Sequence, residues 1–139
     1  MILLDIHVLS ALMRATPEQP VVRWLDHQAP EDIWTTSISI FEVRFGLARL
    51  PAGRRRAALE STFQVLIDQD LGGRVASFDR TAADAAAILA ARREAVGRPV
   101  DFRDTQIAGI AMARRAMIAT RKLRHFDDLD GRLINPWES

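Results

Sequence analysis

Three acids stand where an α/β chain would gather carboxylates. Asp5 follows the short apolar run Ile2 to Leu4, which predicts a buried strand with the acid at its carboxyl end. Glu42 falls in the first turn of the helix expected after the second strand, again at a strand's carboxyl end. Asp104 opens a helix that runs into the fourth strand through a tight connection. Such a helix should lie antiparallel to its strand, which puts Asp104 at the same edge. Ligands bind at this edge of open α/β sheets. Carboxylates gathered there raise one another's pKa unless a cation joins them. Oxygen-only ligation favours hard Mg²⁺ or Mn²⁺ over zinc. Such an ion activates water and offsets charge on phosphate, as phosphodiester hydrolysis needs. Each acid also has a plainer reading. Glu42 could complete a Ser39-x-x-Glu42 capping box. Asp104 could simply suit the positive end of its helix, and Asp5 could be a turn residue.

The elements that must position these acids alternate between strand and helix. After the strand Ile2 to Leu4, helical spacing runs from His7 to Met13, and a second short helix carries Val21, Val22 and Leu25. Asp32 to Thr36 predicts the second strand, and Ser39 opens a helix that ends near Pro51. Ala52 to about Gln69 is helical, Gly72-Gly73 turns, and Val75 to Phe78 is the third strand. Thr81 to Val96 is an Ala-rich helix ended by Gly97 and Pro99. Asp101 caps the Asp104 helix, which reaches Arg115; Met117 to Thr120 and Arg132 to Ile134 are the last strands. The pattern implies an α/β fold with a mostly parallel sheet. No internal repeat or linker is visible, so one domain over residues 1–139 is expected.

Composition narrows the chemistry. The chain has 139 residues, 48% apolar and 27% charged, as in an ordinary globular protein. Cysteine is absent, which excludes disulfides, thiolate metal sites and thiol catalysis. His7, His27 and His125 are the only histidines. No signal-like leader or apolar run of membrane-spanning length is present, so a cytoplasmic protein with no membrane association is expected. Nineteen Lys and Arg against 18 Asp and Glu give a net charge of +1. Bulk charge would not hold duplex nucleic acid, but a local patch could. Arg114, Arg115, Arg121, Lys122 and Arg124 fall in an acid-free stretch. Of these, Arg121, Lys122 and Arg124 are the candidate nucleic-acid phosphate contacts, whereas Arg54 to Arg56 read as a solvated face. No tyrosine and only 6% aromatics argue against a broad base-stacking surface.

The segments around Asp5, Glu42 and Asp104, with the chain's C-terminal part, resemble the PIN-domain ribonucleases, and most closely the FitB-like branch of the VapC-type toxins of bacterial toxin–antitoxin pairs. LLDIHVLSAL (Leu3 to Leu12) is similar to the family's opening block. TSISIFEVRFGLARLPAGRRR (Thr36 to Arg56) is similar to its second acidic block, and GRPVDFRDTQIAGIA (Gly97 to Ala111) to its third. IATRKLRHF (Ile118 to Phe126) and INPW (Ile134 to Trp137) resemble its ending. The resemblance implies a three-layer α/β/α sandwich and an endoribonuclease dependent on Mg²⁺ or Mn²⁺. It also implies a small DNA-binding antitoxin partner and a toxin homodimer within the complex. By position, Asp5, Glu42 and Asp104 match the family's metal-binding acids.

The departures lie around those acids. The family usually has Asn at His7, Asn or Asp at Lys122, and often Asp at His125. The fourth acidic corner is therefore altered, and one well-held metal rather than two is expected. Lys122 could bind phosphate, and His125 could be a weak ligand or proton carrier. Asp127 or Asp128 is a remote substitute for the missing acid. Thr120 and Ser37 could brace the carboxylates by hydrogen bonds. Trp24, Phe41, Phe45 and Phe63 are either core or an antitoxin groove. Two functions follow: an active metal-dependent endoribonuclease toxin, or a catalytically degenerate PIN domain that binds antitoxin as a co-repressor module. A phosphate-binding signalling domain is disfavoured because no Gly-rich phosphate loop is present.

Overall fold

The computed structural model describes residues 1–98, 101–129 and 131–138. Five short strands form one parallel sheet in the order β3-β2-β1-β4-β5: β1 (Ile2–Leu4), β2 (Ile33–Thr36), β3 (Val75–Ala76), β4 (Met117–Ala119) and β5 (Leu133–Ile134). β1 is central because its residues are apolar throughout; it pairs Ile2 with Ile33 on one side and with Met117 on the other.

Successive strand residues enter opposite cores. Leu4, Ile33 and Ala119 pack with the helices α1 (Ile6–Met13), α2 (Gln19–Asp26), α3 (Ser37–Ala48) and α4 (Arg54–Val65). Leu3, Ala76 and Ile118 pack with α5 (Arg80–Ala95) and α6 (Phe102–Arg114). The period-two alternation of the strands thus builds two apolar layers, and the α/β/α sandwich follows. α5 and α6 make the closest helix pair. A side chain at Gly109 would meet Ala82 O at 2.6 Å and Ala86 Cβ at 2.6 Å, so glycine is what permits the approach.

Element types agree with the sequence reading, and the ends differ for local reasons. α3 begins at Ser37, earlier than expected, because Thr36 rather than Ser39 is the cap: its hydroxyl accepts from Ser39 N at 3.0 Å. The helix expected from Ala52 starts at Arg54 and widens over Leu66–Asp70, where Leu71 N donates to Leu66 O. α5 starts at Arg80 under an Asp79 cap. Pro99, expected to end it, lies outside the described residues.

The aromatic residues divide. Trp24 and Phe63 are core, whereas Phe41 and Phe45 are 55% and 46% exposed and stack on one another. They do not line one common groove. An apolar groove of about 580 Å³ is lined by Leu12, Pro17, Val22, Leu25, Val65 and Leu71. No helix among the described residues is long and apolar enough to cross a membrane.

Candidate active site

Asp5 leaves the central strand and caps α1. Its Oδ1 accepts from His7 N at 3.0 Å and Val8 N at 3.1 Å, and its Oδ2 accepts from Thr120 Oγ1 at 2.6 Å. Thr120 Oγ1 in turn accepts from Lys122 N at 2.9 Å. One buried carboxylate therefore ties together the ends of β1 and β4, the start of α1 and the loop after β4. Burial pushes the Asp5 carboxyl above its ordinary value, against the pull of Thr120 and the helix amides.

Glu42 stands in the second turn of α3, one turn later than expected, because Thr36 caps the helix. The capping-box role is therefore not realised, and the carboxylate is spared for another use. Its Oε1 is a buried oxygen without a hydrogen-bond partner, and no other side-chain atom among the described residues is in that position. Burial pushes Glu42 up, and Asp104 and Asp5 push it the same way, while Arg103 and Lys122 pull it down. Glu42 thus shares one electrostatic neighbourhood with both other acids.

Asp104 occupies the first turn of α6 and is buried. Its Oδ2 shares a hydrogen bond of 2.6 Å with His125 Nδ1. His7, half-buried beside Asp5, is pushed down by desolvation and also feels Asp5, Lys122, Asp104 and Arg121. His7, Lys122 and His125 therefore surround the acids.

The other candidates sort by geometry. Thr120 braces Asp5, but Ser37 does not brace a carboxylate; its hydroxyl accepts from Phe78 N. Asp128 is no substitute acid, because Arg93 holds both its oxygens, at 2.7 and 2.8 Å. Asp127 pairs with Arg98. Arg121 lies over the Trp137 ring, 3.9 Å from its centroid, and Arg124 is exposed nearby. Arg114 and Arg115 sit about 15 Å along α6 from Asp104, at its far end. They do not reach the acids.

Two participants escaped the sequence reading. Arg103 lies in the field of Glu42 and pairs with the capping Asp101. Arg93 is a buried guanidinium that donates to Asp128, Thr105 Oγ1 (2.9 Å) and His125 O (3.0 Å). It ties Thr105, the neighbour of Asp104 in α6, to the backbone of His125 and to Asp128. Its position at helical spacing in a charged segment gave no sign of burial.

Among the described residues no group of three His, Asp or Glu side chains is placed to hold a metal ion. The donor set nevertheless suits a hard cation. All three acids offer oxygen, Asp104 and Asp5 both push Glu42 up, and Glu42 Oε1 is buried without a partner.

Residues 2–131 match the PIN domain family. The chain is 38% identical over 138 residues to VapC ribonuclease Y4jK of Sinorhizobium fredii, covering 99% of each. It is 32% identical to toxin FitB of Neisseria gonorrhoeae, again covering 99% of each. A solved structure of FitAB bound to an IR36 DNA fragment superposes with a TM-score of 0.87 at 32% identity, over 99% of this chain and 96% of that one. The sandwich, the acids at its sheet edge and these matches agree: the chain belongs to the PIN-domain family.

Proposed function

We propose that this protein is a metal-dependent endoribonuclease acting, as a single domain over residues 1–139, as the toxin of a toxin–antitoxin pair. The observation that carries the reading is Glu42 Oε1, buried without a hydrogen-bond partner in the electrostatic field of Asp104 and Asp5. Asp5, Glu42 and Asp104 would hold Mg²⁺ or Mn²⁺, which when bound supplies water activation and charge compensation at phosphate. Thr120 and the α1 amides orient the Asp5 carboxylate. His125 orients that of Asp104. Lys122, Arg121 and Arg124 draw the RNA backbone towards the acids. Relatives named VapC ribonuclease and toxin FitB support the activity. The structure of FitAB bound to a DNA fragment supports a DNA-binding partner; a small antitoxin and a toxin homodimer in the assembly belong to the same proposal.

The test is cleavage of single-stranded RNA with Mn²⁺, comparing wild type with Asp5→Asn and Glu42→Gln. Asn retains a capping oxygen at position 5, so folding is preserved. Loss of cleavage in both variants supports the assignment, whereas cleavage unchanged in both overturns it. Lys122 favours the second reading, a degenerate PIN domain that binds antitoxin as a co-repressor module. It puts an ammonium in the field of Glu42 and His7, where the family carries an oxygen ligand. Antitoxin binding without any RNA cleavage by wild type would establish that reading.

A further inference from the structure

The loop after β4 faces the C-terminal turn across an open groove of about 670 Å³. Arg121, Lys122, Arg124 and His125 line it on one side, and Trp137 and Glu138 on the other. The groove is joined to two of the acids through hydrogen bonds of its lining residues. His125 lines it and is bonded to Asp104. Lys122 lines it, and its amide is linked through Thr120 to Asp5. A strand engaged at the carboxylates would continue into this groove.

Within it, Trp137 is fixed on several sides. Its amide donates to Asn135 Oδ1 at 3.0 Å, its Nε1 donates to Glu18 Oε2 at 3.3 Å, and its ring packs against the α1–α4 core. The Arg121 guanidinium covers the ring at 3.9 Å. Arg121 is exposed and makes no ion pair among the described residues, so the outer face of this stack is open. A flat cation on an indole accepts a third planar group, and nucleobases stack on guanidinium planes. The low aromatic content argues against a broad stacking surface, but one platform needs only one ring.

We propose that Arg121 stacked on Trp137 is a platform for one nucleobase of single-stranded RNA beside the scissile phosphate, with Lys122 and Arg124 taking the flanking phosphates. The substrate class rests on the ribonuclease reading above. The platform itself can be tested separately, through binding.

In the Asp5→Asn background, binding of an eight-nucleotide oligoadenylate is compared with that of an abasic sugar–phosphate strand of equal length and charge. The base-bearing strand should bind at least about 5-fold tighter, as one stacked base provides. Arg121→Lys keeps the charge and removes the plane. It should bring the ratio close to one while the salt dependence of binding stays as before. Arg121→Ala should lose the ratio as well, whereas Lys122→Ala should keep the ratio and flatten the salt dependence by about one phosphate contact. Equal binding of the two strands by the parent protein, or an undiminished ratio in Arg121→Lys, overturns the platform. Failure of the ribonuclease reading would show instead as wild type leaving RNA uncut with Mn²⁺, whatever the ratio.

Discussion

His125 Nδ1 and Asp104 Oδ2 stand 2.6 Å apart and join the loop after β4 to the first turn of α6. The bond occupies one oxygen of Asp104 and fixes the plane of the carboxylate, so the other oxygen is aimed. Partners of this kind typically contribute 10- to 100-fold to metal affinity or activity. We therefore expect His125→Ala to lower kcat/KM for RNA by about 10-fold or more. His125→Asn, which can still donate, should recover part of the loss. Equal activity in His125→Ala and wild type would show that the bond does not orient Asp104.

The raised carboxyls of Asp5 and Glu42 give a pH dependence with a definite sign. Burial disfavours their ionised forms in the fold, so both are held above their ordinary values. Below the ordinary carboxylate range both states are protonated and nothing is lost. As pH rises through the raised values, ionisation costs the metal-free fold stability. Asp5→Asn should therefore melt higher than wild type at pH 7 without metal, with the gain shrinking towards pH 3.

A divalent cation should reverse that penalty, because it binds the ionised acids. The rise in Tm on adding Mn²⁺ should be larger at pH 7.5 than at pH 5, and should vanish in Glu42→Gln. An equal rise at both pH values would place the ion elsewhere.

Arg93 is 3% exposed and holds Asp128, Thr105 and the His125 carbonyl together. Arg93→Met leaves those acceptors without their donor and should cost about 3 kcal/mol in denaturant unfolding. The sign for Asp128 is opposite to that for Asp5. The Arg93 hydrogen bonds hold Asp128 below the ordinary carboxylate range. Its stabilising share is present above the unfolded value and is lost as pH falls through the folded one. Asp128→Asn should thus destabilise at pH 7 and make little difference in strong acid.

Gly109→Ala places a methyl group 2.6 Å from the Ala82 carbonyl and the Ala86 methyl. Both neighbours are short and cannot swing away, so α5 and α6 must separate. The expected loss is about 1–3 kcal/mol of unfolding free energy, read from the urea midpoint. Met112→Ala on the same helix leaves that close approach intact, and its double variant with Gly109→Ala shows whether the two losses add.

The sequence by itself determined the sheet edge at which each acid stands. Asp5 follows an apolar run too short to be anything but a buried strand, and strand–helix alternation carries Glu42 and Asp104 to the same edge. Those are local facts of periodicity and chain direction, and they survive folding unchanged. What Glu42 is free to do was decided in three dimensions. Thr36 and Ser39 are both good caps, and the choice fell to Thr36 because β2 extends that far, paired with Ala76 of β3. Only the fold decided that Trp24 and Phe63 are buried while Phe41 and Phe45 are exposed, since all four lie at similar helical spacings. The pairing of Arg93 with Asp128, 35 residues away, and the stacking of Arg121 on Trp137 likewise depend on which loops the sheet brings side by side. Such contacts join residues whose types are common on any surface, so nothing in their local sequence distinguishes them until packing excludes water and leaves one partner within reach.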